Sequence, residues 1–137
     1  MESILLPEQV VSSDPCDYLP HRNPFVFLDR VTSREPGISA TGIKCVTHEP
    51  GGFPQVLLLE SMAQLGGIAA ATENGEGGFL ASIDHAEFSR EVRAGDRLLV
   101  SVQIVKSFGR LFLMDGEASV EGEIIARAQL TLGVGKV

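Results

Sequence analysis

One segment constrains the fold more than any other. Pro54 to Thr72 is the only stretch of the 137 residues with a strongly helical pattern, and it is apolar on nearly every side. Pro54 suits a first helical turn, and Asn74-Gly75 with Gly77-Gly78 supply a stop. Ala63, Gly66, Gly67, Ala70 and Ala71 give the helix a small-residue face, which lets its axis lie close to a covering sheet; two adjacent glycines would otherwise only weaken it. A lone acid, Glu60, stands among Leu57, Leu58, Leu59, Met62 and Ala63. Burying that carboxylate charged is costly, so its presence asks for a chemical explanation.

Around the helix the chain reads as strands. Phe25 to Arg34 and Ile38 to Thr47 alternate on either side of a turn at Glu35-Pro36-Gly37. After the glycine-rich stop come Phe79 to Phe88, Arg97 to Lys106, Leu111 to Val120 and Ile124 to Val134. Turn signals at Ala94-Gly95-Asp96, Phe108-Gly109-Arg110 and Glu121-Gly122-Glu123 separate them. Leu98, Val100, Val102 and Ile104 alternate with a second set that includes Ser101 and Gln103, which predicts a sheet with one well-covered face. The expected order is two strands, one central helix, then a four-stranded antiparallel meander, an α+β fold in which a sheet wraps one helix. Residues 1–13 are expected to form a poorly fixed arm and 14–137 a single domain, with a short helical turn near Asp14 to Tyr18.

Charge and cysteine content narrow the function classes. A net charge of -7 disfavours general nucleic-acid binding, which needs a basic surface. Arg90, Arg93, Arg97, Lys106 and Arg110 are the exception: they read either as a local basic patch or as an ordinary mixed-charge face with Glu87, Glu91 and Asp96. Cys16 and Cys45 have no CxxC spacing, and His21, His48 and His85 are scattered, so neither a disulfide, a metal site nor a cofactor is expected. No apolar run reaches membrane-spanning length and the N-terminus lacks a basic region, so a cytoplasmic protein is expected.

Three stretches carry a family resemblance: LPHRNPFVFLDRV (Leu19 to Val31), LLLESMAQLGG (Leu57 to Gly67), and IDHAEFSREVRAGDRL with GEASVEGEIIARAQL. Together they resemble the FabZ-type (3R)-hydroxyacyl-acyl carrier protein dehydratases of the hot-dog fold, over nearly the whole chain after the arm. The resemblance implies that Glu60 is the catalytic carboxylate and that a histidine precedes it in a loop of the form GHFPGxPxMPG. Here that loop is shortened to HEPGGFP. Aligning HEPG with HFPG makes His48 the catalytic base; aligning HEP with the family's upstream NEP leaves the site without one. A shortened loop is also similar to the FabZ-like subunits of aryl polyene pathways, some of which work as unlike pairs.

Dehydration of a 3-hydroxyacyl thioester needs a base for the carbon next to the carbonyl and an acid for the departing hydroxyl. A neutral His48 suits the first role and a protonated Glu60 in an apolar pocket the second. The backbone amides of Gln55 and Val56 are candidates for holding the enolate oxygen, and Gln64, one turn past Glu60, for holding Glu60 or nearby backbone in place. Phe79, Leu80, Ile83 and Phe88 line an acyl tunnel or simply belong to the core. The resemblance further implies a site shared across a dimer interface and acyl carrier protein or coenzyme A thioesters as substrate; on the reading of the arginines as a basic patch, Arg90, Arg93 and Arg97 are the candidates for carrier docking. The assembly is expected to be a homodimer, a higher homo-oligomer, or a heteromer with a paralogous hot-dog subunit. His21 reads as a structural anchor and His85 as a surface residue. The alternatives are a noncatalytic acyl-binding partner and an acyl thioesterase.

Overall fold

The computed structural model describes residues 14–15, 28–47, 53–71 and 76–136. The expected arm, Cys16, His21, Phe25, Phe27, His48 and most of the 14–18 turn lie outside the described residues. The elements are β1 (Arg30–Glu35), β2 (Ser39–Cys45), α1 (Gln55–Ala70), β3 (Glu76–Phe88), β4 (Arg97–Phe108), β5 (Leu111–Val120) and β6 (Glu123–Lys136). Each expected strand and the helix is present, with the first strand starting at Arg30 and the helix starting at Gln55, one residue inside Pro54. Among the described residues no helix is long and apolar enough to cross a membrane.

The six described strands form one antiparallel sheet in the order β1-β2-β4-β5-β6-β3, curled around α1. This is the hot-dog arrangement. The expected four-strand meander is corrected: only β4, β5 and β6 follow one another, while β3 pairs with β6 at the far edge and β4 pairs with β2. The segment 89–96 explains the difference. Gly95 N–H donates to Val46 O at 2.8 Å and Val46 N–H to Asp96 O at 2.9 Å, so the turn after β3 is tied to the end of β2 instead of closing a hairpin. Alternation identifies a strand but not its neighbour.

Packing follows the small-residue pattern. α1 is buried without interruption from Ser61 to Ala70, as a helix apolar on all sides must be. A Cβ at Gly66 would stand 2.6 Å from Leu132 Cδ1 and would collide with the Met114 sulfur; one at Gly78 would stand 2.8 Å from the Gly67 Cα. On the sheet, Gly116 makes room for Met62, whose sulfur is 2.9 Å from where a Cβ would lie. Helix and sheet therefore meet at backbone distance, with Met62, Met114, Leu130 and Leu132 filling the remaining space at zero exposure.

The end of α1 is closed by tertiary contacts. Ala71, the C-cap, is extended, not left-handed, and its N–H bonds Gly67 O. Arg34 Nε donates to Ile68 O at 2.7 Å and Nη2 to Ala71 O at 2.6 Å, while Gly37 N–H in the β1–β2 turn donates to Ala69 O at 2.7 Å. The hairpin thus supplies the donors that the last carbonyls need and sets a guanidinium at the negative end of the helix dipole. Arg34→Ala should lower stability by about 1–3 kcal/mol in urea unfolding. Arg34→Lys should recover only part of it, because an ammonium cannot span two carbonyls as a planar fork does.

Candidate active site

Glu60 occupies the second turn of α1, on a ridge whose exposure falls steeply along the helix. Val56, one turn earlier, is 58% exposed; Glu60 is half-buried; Gln64, one turn later, is 2% exposed. Glu60 therefore stands where the buried helix meets the surface, with its chain neighbours Leu58, Leu59 and Met62 buried. Ser61 is turned into the helix, its hydroxyl donating to Leu57 O at 3.0 Å. Pro54 caps the helix without a side-chain bond, and the first turn closes through Leu57 N–H to Pro54 O at 3.0 Å. The amides of Gln55 and Val56 lie ahead of that bond, among the N–H groups that an α-helix leaves without an internal partner at its positive end.

Helical geometry tells which way Glu60 faces. Gly67 lies against Gly78 of β3, and residues seven apart return to nearly the same face. Glu60 thus shares the β3-facing side of α1. The short link from Ala70 to Glu76 makes β3 run back along the helix, which brings Leu80 and then Ile83 toward the level of Glu60. Leu80 and Phe88 pack against the core. Ile83 is in register with buried Leu130 yet is 44% exposed, because β3 is the last strand of the sheet. Phe79 lies elsewhere: its ring covers Gly133 on the face away from α1, and it is 62% exposed. Strict alternation already separates Phe79 from Leu80. The irregularities between Leu80 and Ser82 and between Ile83 and His85 are what turn Ile83 to the helix side, and nothing in the apolar pattern marks them.

The five basic residues do not form one patch. Arg90 Nη1 and Nη2 bond Asp96 at 3.0 and 3.3 Å, and Nη1 also donates to Glu91 O at 2.7 Å. Arg93 N–H donates to the same carboxylate at 2.8 Å. Arg90 therefore holds the 89–96 segment in shape, while Arg93 and Arg97 are exposed beside it. Lys106 lies nine residues along β4 from Arg97, roughly 30 Å away at strand spacing, with its ammonium 5.0 Å from the centre of the Phe108 ring. Arg110 donates to Val134 O at 2.6 Å.

The outer face of the sheet carries a charged concavity of 730 Å³, lined among others by His85, Glu87, Asp115, Glu117, Arg127 and Gln129. His85 Nε2 and Glu87 Oε2 are 2.5 Å apart, and that hydrogen bond holds the Glu87 carboxyl below its ordinary range. This groove is separated from Glu60 by the whole sheet. Among the described residues no group of three or more His, Cys, Asp or Glu is placed to hold a metal ion. Arg34 is the residue that sequence reasoning missed; a basic residue before a turn carries no signal that it will reach a helix thirty-four positions later.

Comparison with known proteins places this geometry in context. The FabA-like domain family model matches residues 19–129. The 3-hydroxyacyl-[acyl-carrier-protein] dehydratase FabZ of Vibrio cholerae is 42% identical over 127 residues, covering 82% of this chain and 83% of that protein. FabZ of Bacillus subtilis is 35% identical over 133 residues, covering 88% and 94%. Among solved structures, the dehydratase heterocomplex ApeI:P from Xenorhabdus doucetiae superposes with a TM-score of 0.77 at 18% identity, over 89% of this chain and 91% of that one. A mutant of the fluoroacetyl-CoA-specific thioesterase FlK does so at 0.63 and 17% identity, over 74% and 88%. At such identities these two likenesses concern the fold.

The loop that carries Arg90 and Arg93 yields a pH test. The Arg90 hydrogen bond, helped by the Arg93 amide, holds Asp96 below the ordinary aspartate range. A depressed native pKa contributes stability above the unfolded-state value, about 3.9, which is lost as pH falls through the native value. Asp96→Asn should lower the melting temperature at neutral pH, and the gap to wild type should close on acidification below pH ~4, read by thermal unfolding.

Proposed function

The chain belongs to the FabA-like family, and on that premise we propose that it is a (3R)-hydroxyacyl-thioester dehydratase acting on carrier-protein-bound acyl groups in fatty-acid or polyketide-like synthesis. The observation that carries the proposal is Glu60: the one acid of α1, half-buried beside a run of buried apolar residues, one turn after a helix start whose N-cap makes no side-chain bond. A carboxyl group at that margin is chemically able to act as a general acid.

In the proposed reaction His48, which lies outside the described residues, takes the proton from C2 of the substrate. Glu60 protonates the C3 hydroxyl, the C3–O bond breaks, and water leaves with formation of the C2–C3 double bond. The amides of Gln55 and Val56 hold the thioester oxygen as charge develops on it. Gln64, fully buried one turn past Glu60, is the proposed positioning residue. These steps are acid–base chemistry and call for no cofactor. Leu80, Ile83 and Phe88 border the acyl chain on the β3 side, and Arg93 and Arg97 are the docking charges for an acidic carrier protein, with Arg90 holding their loop.

The edge position of β3 supports a dimer. Its thirteen residues present one unpaired edge among the described residues, with exposed Ile83 beside the helix face that bears Glu60. Such an edge is commonly covered by a second strand, and a partner there would wall the site. A homodimer is the proposed assembly, in the cytoplasm, with residues 14–137 as one domain and 1–13 as an appended arm. The shortened HEPGGFP loop favours a second reading, a noncatalytic acyl-binding subunit completed by an unlike hot-dog partner.

Hydration of a crotonyl thioester by the purified protein separates these readings. Glu60→Gln should reduce turnover at least 10²-fold, and His48→Ala by a similar factor, without loss of the cooperative thermal transition. Full activity in His48→Ala would remove His48 from the mechanism; activity appearing only after a paralogous subunit is added would establish the second reading. Arg93→Glu should weaken carrier-protein binding in titrations at low salt, with the difference shrinking at high salt.

A further inference from the structure

We propose that the end of the sheet formed by the β1–β2 and β4–β5 hairpin tips is a peripheral docking surface for an anionic lipid bilayer, with Phe108 and Leu111 entering the headgroup boundary and Lys106 and Arg110 meeting the lipid phosphates. The inference stands apart from the Glu60 reading, since it rests on residues that the proposed reaction does not use.

Exposed apolar side chains are not spread evenly. Among the described residues nine large ones are exposed, and five of them, Ile38, Phe79, Val105, Phe108 and Leu111, lie at this one end, 44–62% exposed. Pairing brings them together. Phe108 is paired with Leu111 where the β4–β5 hairpin closes, Leu111 is in register with Gly133, and Gly133 with Phe79, whose ring covers it. Val105 falls at the irregularity between Ile104 and Lys106, which takes it out of the ladder. The Ile104 N–H donates to Ile38 O at 2.8 Å, so the β1–β2 turn ends beside them. Scattered exposed apolar residues are ordinary, but a gathered patch marks a surface that something covers.

Charge and shape select the occupant. Ile104 to Met114, IVKSFGRLFLM, holds two cations and no acid in a chain of net charge -7. The Lys106 ammonium lies 5.0 Å from the centre of the Phe108 ring, and Arg110 is fixed at the tip by Nε donating to Val134 O at 2.6 Å. Both residues are exposed. Apolar side chains at an apex with cations beside them meet the needs of an interfacial anchor: the apolar groups enter the boundary of the acyl region while the cations stay among negative headgroups. The apex is a tight two-residue turn with Gly109 at φ 61°. A bilayer yields around such a projection, whereas a protein partner has to supply a matching hollow. Two copies meeting tip to tip would set Lys106 and Arg110 against the same charges.

Docking at this end leaves the rest of the molecule accessible. The Gly37 N–H donates to Ala69 O, which puts the tips at the C-terminal end of α1. Glu60 is about 13 Å back along the helix from Ala69, and Arg97 is roughly 35 Å from Phe108 along β4.

The chain has no tryptophan, so Phe108→Trp in the full-length protein reports on the tip alone. Its fluorescence should shift to the blue with vesicles of equal parts phosphatidylcholine and phosphatidylglycerol and stay unchanged with phosphatidylcholine alone. Leu99→Trp, an exposed position toward the other end of β4, should shift with neither. In sedimentation with the anionic vesicles, the Phe108→Ser/Leu111→Ser double variant should bind at least ~tenfold more weakly than wild type, and Lys106→Glu at least ~threefold more weakly at low salt, with the latter difference shrinking as salt is raised. Thermal unfolding should stay cooperative in every variant, because all four positions are exposed. No blue shift in Phe108→Trp, equal shifts in Phe108→Trp and Leu99→Trp, or undiminished sedimentation of the double variant would overturn the proposal. So would light scattering without vesicles that finds wild type in a larger assembly than the double variant, because a second copy then covers the tip.

Discussion

The close approach of α1 to its sheet is the constraint on which the rest of the structure depends. Gly66 and Gly67 on the helix, and Gly78 and Gly116 on the strands, remove the side chains that would hold the two layers apart. Met62 and Met114, flexible and polarisable, then fill what is left. A sheet that touches a helix this closely has to curl around it, and so the helix is buried from Ser61 to Ala70. Glycine is unfavourable inside a helix by roughly 1 kcal/mol against alanine; here the loss is offset by contacts that any larger residue would abolish.

Burial of the helix creates two electrostatic problems, and the fold solves them at opposite ends. At the C-terminus the last carbonyls receive Arg34 and the Gly37 amide from the β1–β2 hairpin. At the N-terminus Pro54 offers no capping side chain. The asymmetry leaves the positive end of the helix without a side-chain cap, with Glu60 one turn inside it.

Charge elsewhere is largely structural. Arg90, Asp96 and the Arg93 amide lock the segment that carries the chain from the β3 edge back to β2, and that segment decides the strand order. The surface row of His85, Glu87 and Arg127 lies on the far side of the sheet from Glu60. Perturbed carboxyls at Asp96 and Glu87 therefore report local hydrogen bonds, since ion-pair networks shift pKa as readily as active sites do.

Much of this was legible in the amino-acid sequence. The single apolar helix, its small face, its one acid Glu60 and the strand patterns follow from periodicity and turn chemistry, which are local properties read within a dozen residues. Strand neighbours were not legible: β3 alternates like a meander strand, yet the ties of Val46 to Gly95 and Asp96 send the chain to β2 instead. Nor was the face of Ile83, which depends on two irregularities in the β3–β6 pairing, or the role of Arg34, whose partners are distant carbonyls. The sequence by itself determined which segments are helix and strand and which acid is set in an apolar run, because those follow from local composition and spacing. Only the tertiary structure decided which side of the helix that acid shares with Gly67, where the helix touches β3 and which arginine is committed to a loop, because those depend on contacts between residues far apart in the chain.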